Sequence, residues 1–229
     1  MKKILPLAAL LAAVASGSAL ADDNNYRWSV GAGVAYIHTW PTMEDIHGQF
    51  TPPGLQLKVD NVYTPFTSIS YNINNHFDVE FAGGVPPKMK VRGKGPATVG
   101  SVPYDGVALA TAFQAAPTLL LNYNFFDRST TFRPFVGIGV NYTKFFDVTP
   151  LPAGEDVNGG PTTLNMSSSV GFAGQVGLAY RVNDRVSVKA SVISAVVKSE
   201  LKTNTGGIQR ATNINFNPMV GVLEAVYSF

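Results

Sequence analysis

Few side chains in this chain are suited to acid–base, nucleophilic or metal chemistry, and the sequence does not group them. The chain has three histidines and no cysteine, which excludes thiolate nucleophiles and thiolate metal sites. His38 lies near the end of a predicted strand, His47 in a long connection and His76 next to a tight turn. No Ser-His-Asp or metal-ligand spacing connects them. We therefore predict that the protein is not an enzyme, with no catalytic residues, metal or cofactor.

A second group of ionisable residues is more regular, because its members alternate with apolar residues. In the stretch 77–81, for example, two acidic residues alternate with three apolar ones. Successive side chains of a β-strand point to opposite faces, so this alternation predicts strands with one polar and one apolar face. The full group is Arg27, Asp78, Glu80, Arg133, Arg181, Lys189 and Glu224.

Strands must position this group, and about eight segments show the period-two alternation. The last segment places Leu223, Tyr227 and Phe229 on one face and Glu224 on the other. The predicted strands cover residues 27–36, 62–72, 77–85, 107–125, 132–142, 170–180, 186–192 and 219–229.

The connections between these strands alternate strictly between long and short. Long, proline- and glycine-rich connections cover 39–61, 86–104, 147–165 and 199–211, and short turns lie at 72–75, 126–131 and 183–185. This pattern predicts an all-β fold, an eight-stranded antiparallel transmembrane β-barrel with long extracellular loops and tight periplasmic turns.

A soluble β-sandwich is the alternative that alternation alone leaves open. Aromatic residues favour the barrel, because those near the short turns fall on outward faces, where they would form a girdle at a membrane interface. They are Trp28, Tyr71, Tyr123, Phe125, Phe132, Tyr180, Tyr227 and Phe229.

The N-terminus has the pattern of a secretory signal peptide. Lys2 and Lys3 precede an apolar run and the small-residue end Ala19–Ala21, so we predict a cleaved signal at 1–21 and a barrel domain at 22–229. The formal charge of +2 includes both lysines and the leader has no acid, so the barrel is neutral (2 − 2 = 0) and nucleic acid is not an expected partner.

Strand direction assigns each inward residue a height, and the two ends of the interior differ. Toward the periplasmic end lies the charged group above, which we expect to pair as a plug, with Arg133 or Arg181 neutralising Glu80 or Glu224. A barrel of eight strands has room for little more than its own side chains, so such a plug closes the path.

Toward the extracellular end the inward residues are apolar, and inward alanines and glycines are expected to leave unfilled volume. We predict a hydrophobic lumen there that binds a ligand, or else ordinary core filling. Its residues are Ile37, Phe66, Ala112, Ala116, Phe145, Ile193, Val197 and Phe216. Pro86 and Pro117 lack the N–H of a ladder hydrogen bond, which predicts a lateral gap between the third and fourth strands.

Four segments resemble the OmpW family of small outer-membrane barrels, which includes alkane-uptake relatives. They are 84–90, 116–123, 133–147 and 175–184, and the third is the most specific. The resemblance implies an eight-stranded barrel in the outer membrane of a Gram-negative bacterium, whose narrow apolar lumen takes up small hydrophobic molecules.

The favoured function is therefore passive uptake of small hydrophobic molecules through the lumen and a lateral opening. The alternatives are a structural or adhesion barrel that acts through its extracellular loops, and a lipid A acyltransferase on a similar barrel. Expected partners are outer-membrane lipids, lipopolysaccharide, small hydrophobic ligands and the barrel assembly machinery. The terminal strand ending in Phe229 resembles the sorting signal that this machinery reads.

Overall fold

The structure is a computed structural model that describes residues 26–96, 98–99 and 102–229. The predicted signal peptide, 1–21, lies outside these residues. No helix among the described residues is long and apolar enough to span a membrane.

The described residues form eighteen strands and one short helix, α1, which covers Pro152–Asn158. In chain order the strands are β1 (Trp28–Thr39), β2 (Thr42–Met43), β3 (His47–Gly48), β4 (Gln56–Val59), β5 (Val62–Asn72), β6 (Phe77–Gly84), β7 (Lys88–Lys94), β8 (Thr98–Val99), β9 (Val102–Pro103), β10 (Ala108–Ala115), β11 (Thr118–Asn124), β12 (Phe132–Pro150), β13 (Thr162–Met166), β14 (Ser169–Arg181), β15 (Val186–Ala195), β16 (Lys198–Thr205), β17 (Ile208–Asn215) and β18 (Pro218–Ser228).

Eight of these strands close into an antiparallel barrel. Around the wall they follow the order β1, β5, β6, β11, β12, β14, β15 and β18, and β18 pairs with β1. The register runs from Ser29 opposite Ser228 to Thr39 opposite Pro218, so the first and last barrel strands pair along nearly their whole length. The predicted eight-stranded barrel is confirmed.

The predicted alternation of the wall is also observed. Ile138 and Phe172 point outward and are 73% and 82% exposed, whereas Phe135 and Ala173 point inward and are buried. At the short-turn end, outward aromatic side chains pair between neighbouring strands, with ring centroids 4.9 Å apart for Trp28 and Tyr71. The wall therefore presents an apolar outer surface edged by aromatic rings, which is the surface that a bilayer requires.

The long connections differ from the prediction, because they are largely sheet rather than loop. β12 continues beyond the wall to Pro150 and, with β10, β7 and β4, forms one sheet, while β13, β16, β17 and β2 form a second. Residues 199–211, predicted as a loop, belong mostly to the hairpin of β16 and β17. The strands in these segments alternate polar residues or pair with distant parts of the chain, and the segments are rich in proline and glycine. Their sequence therefore predicts loops rather than strands.

The predicted fourth strand, 107–125, is two strands. β10 ends at Ala115 and β11 begins at Thr118, so the chain leaves the ladder at Ala116 and Pro117. β10 belongs to the extracellular sheet and β11 to the barrel wall.

The outward face of β12 allows a test of the membrane orientation. Replacing Ile138 with Lys, in the middle of the apolar outward run, should reduce the free energy of unfolding by ~2–4 kcal/mol, because lysine near the bilayer midplane is costly. Urea unfolding from phosphatidylcholine vesicles measures the change. The control is Thr149→Lys, at an exposed position farther along the same strand, which should change stability little. Equal effects would mean that the outward face of Ile138 is not in lipid.

Candidate functional site

The barrel interior is divided along its axis into layers with different chemistry. At the short-turn end lies a polar vestibule of about 300 Å³. A cluster of buried charges, the charged floor, lies above it. Two mainly apolar cavities follow toward the extracellular side, a lower one of about 90 Å³ and an upper one of about 230 Å³. Gln114 and Asn141 are among the polar residues that line the lower cavity, and Arg210 lines the upper one.

The charged floor is centred on Lys189, whose amino group is enclosed by the wall. Its Nζ lies 2.6 Å from Glu80 Oε2 and 3.5 Å from Glu224 Oε1, and both glutamates are buried. The same amino group lies 4.8 Å from the centroid of the Phe135 ring, which adds a cation–π contact. Glu80 is on β6 and Lys189 on β15, on opposite sides of the barrel in the strand order, so this ion pair crosses the interior.

Neutral amides complete the floor, since three carboxylates share one lysine. Asn122 Nδ2 donates hydrogen bonds to Glu80 Oε2 at 2.7 Å and to Asp78 Oδ2 at 2.9 Å, and Asn124 Nδ2 donates to Asp78 Oδ1. Sequence reasoning missed both asparagines, although they alternate on the strand that pairs Asn122 with Asp78.

Two inward glycines leave room for this network rather than for a ligand. A Cβ at Gly31 would overlap the Glu224 carboxylate and the Ser68 hydroxyl, which donates to Glu224 Oε2 at 2.7 Å. A Cβ at Gly137 would overlap the Asn122 side chain. The expectation that the inward glycines leave unfilled volume is therefore wrong at these positions.

Two arginines assigned to the plug lie outside the floor. Arg27 is exposed and its Nη1 donates to the Tyr71 hydroxyl at 3.3 Å. Arg181 pairs with Asp184 of the neighbouring turn at 3.0 Å, and the side chain of Asp184 is 75% exposed. Both arginines are near strand ends, where a long side chain can keep its guanidinium in water.

Arg133 is closer to the floor, and among the described residues it has no carboxylate within ion-pair distance. It donates to the backbone carbonyls of Asn75 and Phe126, which belong to two periplasmic turns. Arg128, which sequence reasoning missed, similarly donates to the carbonyls of Tyr26 and Asn74 at 3.1 Å each, and desolvation by burial lowers its pKa. These arginines hold the turns of the vestibule together.

The predicted pairing of Arg133 or Arg181 with Glu80 or Glu224 is therefore wrong, and Lys189 has this role. Among the described residues, no residue that lines the vestibule also lines either apolar cavity. The charged floor lies between them.

The lower cavity contains most of the predicted lumen residues. Ile37, Phe66, Ala116, Ile193 and Val197 line it. Ala112 is buried but lines neither apolar cavity.

The upper cavity is built mainly from the extracellular sheets. Leu55, Leu57 and Tyr104 line it with Phe216, and sequence reasoning missed the first three because they lie in predicted loops. Burial raises the pKa of Tyr104, and its hydroxyl has no hydrogen-bond partner among the described residues. The alternation of Leu55, Leu57 and Val59 was the signal that could have revealed this wall.

The two cavities share no lining residue, and a cluster of three side chains connects their linings. Phe145, predicted to line the lumen, belongs to this cluster and lines neither cavity. Phe145 and Phe216 pack with ring centroids 5.0 Å apart, and both belong with Val197 to one buried cluster. Phe216 lines the upper cavity and Val197 the lower one. We call this cluster the partition.

The lower cavity reaches an interruption of the wall between β6 and β11, the ladder gap. The β6–β11 ladder ends at Ala82 opposite Thr118, and pairing resumes between β7 and β10 at Lys88 opposite Phe113. Between these points the Gln114 N–H donates to the Pro87 carbonyl at 3.2 Å. The residues at the gap that also line the lower cavity are Gly83, Gly84, Val85, Pro86, Pro87, Gln114 and Ala116.

The two prolines assigned to the gap contribute differently. The Pro117 carbonyl accepts from the Tyr142 N–H of β12, and both polar groups of a residue in an antiparallel pair face the same neighbour, so the N–H that Pro117 lacks would face β12. Val85 faces β5, because its N–H donates to the Pro65 carbonyl at 3.1 Å. Pro86 and Pro87 follow in the segment that lines the gap, and neither has an N–H to pair there.

The histidines do not converge. The His38 ring lies 4.1 Å from the Trp40 ring by centroid, His76 Nδ1 lies 3.1 Å from the Asn124 carbonyl oxygen, and His47 is in β3. Among the described residues, no three His, Asp or Glu side chains are grouped so that they could hold a metal ion.

Comparison with known proteins relates the whole barrel to one family. The model of the OmpW family matches residues 28–229. Outer membrane protein W of Escherichia coli (strain K12) is 30% identical over 229 residues, which cover all of both chains. The dibenzothiophene metabolism operon protein PahQ of Pseudomonas aeruginosa is 35% identical over 102 residues, 44% of each chain.

The fold is similar to that of a solved outer-membrane protein. The crystal structure of OprG from Pseudomonas aeruginosa superposes with a TM-score of 0.79 at 23% sequence identity. The match covers 91% of this chain and 99% of that one.

The charged floor allows a stability test. Replacing Lys189 with Met keeps the aliphatic length but leaves Glu80 buried without its cation, which should reduce the free energy of unfolding by ~3–5 kcal/mol. The temperature at which the protein changes from folded to unfolded mobility on a heat-modifiable gel should fall as a result. The control is Arg181→Met, whose ion pair is exposed and should contribute at most ~1 kcal/mol. If both variants unfold like the wild type, the floor is hydrated and does not stabilise the barrel.

Proposed function

Because the chain belongs to the OmpW family of outer-membrane proteins, we propose that it carries small hydrophobic molecules across the outer membrane. The molecule enters the upper cavity from the extracellular side, crosses the partition into the lower cavity and leaves through the ladder gap into the bilayer. Transport is passive, because the route consists of apolar cavities and the molecule moves down its concentration gradient.

The observation that carries this proposal is that the lower cavity is bounded by the wall at the ladder gap. Val85 and Ala116, one on each side of the gap, both line this cavity and are both exposed, Val85 to 48%. The charged floor blocks the axial direction, where a hydrophobic molecule would have to displace an ion pair. The sideways exit leads from apolar cavity to lipid and crosses no charged layer.

The sizes of the cavities limit the class of molecule. A cavity of about 150 Å³ takes up benzene in other proteins, so the upper cavity of about 230 Å³ can hold a small aromatic compound or a short alkane. The lower cavity of about 90 Å³ is smaller and must widen during passage. The gap supplies this freedom, because among the described residues no ladder pair joins its two sides between the Ala82–Thr118 pair and the Lys88–Phe113 pair.

A relative supports the chemical class. PahQ is named for dibenzothiophene metabolism, and dibenzothiophene is an apolar polycyclic compound of the kind that such cavities would admit. Dibenzothiophene and a short alkane, octane, are therefore suitable test compounds.

The gap is tested by filling its inner side. Ala116 is exposed at the gap and lines the lower cavity. Ala116→Phe should therefore slow the uptake of dibenzothiophene or octane into intact cells by at least about fivefold, because the ring occupies the exit of a site that admits only small ligands. Uptake is measured at equal amounts of folded protein in the outer membrane.

Two control variants accompany it. Ala225→Phe makes the same change at an exposed outward position of β18, and Pro117→Val adds an N–H that faces β12, so neither should slow uptake. Uptake by Ala116→Phe cells at the wild-type rate would exclude the ladder gap as the exit, and the structural or adhesion barrel would become the better interpretation.

The partition is tested by two substitutions with opposite effects. Phe145 is 7% exposed, so Phe145→Asp would place an uncompensated charge on the route and should slow uptake. Phe145→Ala should join the two cavities and speed uptake of the bulkier compound, although the loss of a buried ring should reduce stability by ~3–5 kcal/mol. Equal uptake by both variants and the wild type would show that hydrophobic compounds do not cross the partition.

A further inference from the structure

The outward face of the sheet formed by β4, β7 and β10, continued by β12, carries an unusual concentration of lysine. Inward positions of β4 and β7 are apolar, because Leu57 and Met89 are buried. Alternate residues therefore point outward, and the register places Lys58 opposite Arg92 and Lys90 opposite Thr111. The exposed lysines of this outward surface, which we call the lysine face, are Lys58, Lys88, Lys90, Lys94 and Lys144.

These lysines are not neutralised within the protein. Among the described residues none of the five has a carboxylate oxygen within 4.0 Å, and the ion pair on this face joins Arg92 to Asp60 at 2.9 Å. The carboxylate of Asp105 accepts the Gly95 N–H at 3.3 Å. The face thus carries five positive charges that no ion pair among the described residues neutralises.

The outward face of the other extracellular sheet lacks this excess of positive charge. On the outward side of β16, Lys198, Glu200 and Lys202 alternate with buried or half-buried residues, and Lys202 pairs with Glu200 at 3.0 Å. That side therefore has one excess positive charge where the lysine face has five.

The height of the lysine face matches the headgroup level of the membrane. Along the outward side of β12, Val140 and Tyr142 belong to the apolar band, and Lys144 is the next outward residue. Beside the gap, Val85 is apolar and exposed, and Lys88 is the first charged residue beyond it. A lysine at this level can place its amino group among lipid headgroups while its aliphatic part remains along the wall.

Aromatic rings support the lysines at this boundary. Phe113 and Phe146 stack with centroids 5.6 Å apart, and Lys88 Nζ lies 5.8 Å from the Phe113 centroid. Phe113 is opposite Lys88 in β7 and opposite Phe146 in β12, so this group lies beside the ladder gap.

We propose that the lysine face binds the phosphate groups of the phosphorylated lipid of the outer leaflet, the lipid A part of lipopolysaccharide. Lysine ammonium groups bind phosphate as point charges, and each basic residue near an anionic membrane surface adds to the binding. A lipid held by Lys88 and Lys144 has its phosphates above the ladder gap and its acyl chains along the apolar surface of Val85 below them. The barrel thereby orients one lipid over the gap.

Binding is tested with the folded protein in phosphatidylcholine nanodiscs titrated with bisphosphorylated lipid A. The variant Lys88→Gln/Lys144→Gln should weaken the apparent affinity by about 25-fold, since each lysine contributes roughly fivefold. Both side chains are exposed, so the barrel should remain folded, which the heat-modifiable gel shift confirms. The control variant Lys198→Gln/Lys202→Gln removes the same charge from the other sheet and should change affinity less than about twofold.

Two further ligands separate the lipid from free phosphate. Dephosphorylated lipid A should bind weakly, and inorganic phosphate should not displace bound lipid A at equal concentration. Equal losses in the two double variants, wild-type affinity in Lys88→Gln/Lys144→Gln, or ready displacement by inorganic phosphate would each overturn the proposal.

Lipid binding at the lysine face is independent of what passes through the barrel. Uptake measured in phosphatidylcholine vesicles without lipid A tests the proposed transport alone. If the wild-type protein binds lipid A but gives these vesicles no uptake, the proposed transport route is refuted and the proposed lysine face is not affected.

Discussion

The rest of the structure depends on the closure of one hydrogen-bonded ladder. In the hydrocarbon of a bilayer an unpaired backbone N–H or C=O costs several kcal/mol, because no water replaces the missing partner, with ~2–7 kcal/mol typical for an unpaired amide. The pairing of β1 with β18 removes both edges of the sheet and gives every barrel strand two neighbours. The wall is therefore regular, because an interruption of the ladder inside the membrane-facing region would leave backbone groups unpaired in hydrocarbon.

The ladder gap is such a departure. Its cost is reduced because Pro86 and Pro87 have no N–H to leave unpaired, and the Val85 carbonyl accepts from the Thr64 hydroxyl at 2.6 Å. The side chain of Thr64 thus substitutes for a ladder partner. Prolines here do not merely interrupt pairing, since they also remove the donors that an interruption would otherwise leave in lipid.

The charged floor and the ladder gap make the two ends of the barrel interior different. The ion pair of Lys189 and Glu80 connects opposite walls, and further hydrogen bonds come from Asn122 and Ser68. This layer separates the polar vestibule from the apolar cavities. A barrel of eight strands has a narrow centre that its own side chains can fill, and this layer fills it between the vestibule and the cavities.

The sequence by itself determined the barrel, the number of its strands and which residues face inward. These follow from period-two alternation and from the long and short connections, which are local properties of the chain. Asp78, Glu80, Lys189 and Glu224 were correctly assigned to the interior on this basis. The pattern of a strand predicts which side of the wall each residue faces and its position along the barrel axis.

Only the tertiary structure decided which residues meet across the barrel and where the wall is interrupted. Lys189 rather than Arg133 neutralises Glu80, because the lysine lies deep on the opposite wall while the arginine reaches the periplasmic turns. The direction of the missing N–H of Pro117 likewise depends on its pairing with Tyr142. Height and face are local, but the partner across the barrel depends on the order and register of all eight strands, which no single segment of sequence contains.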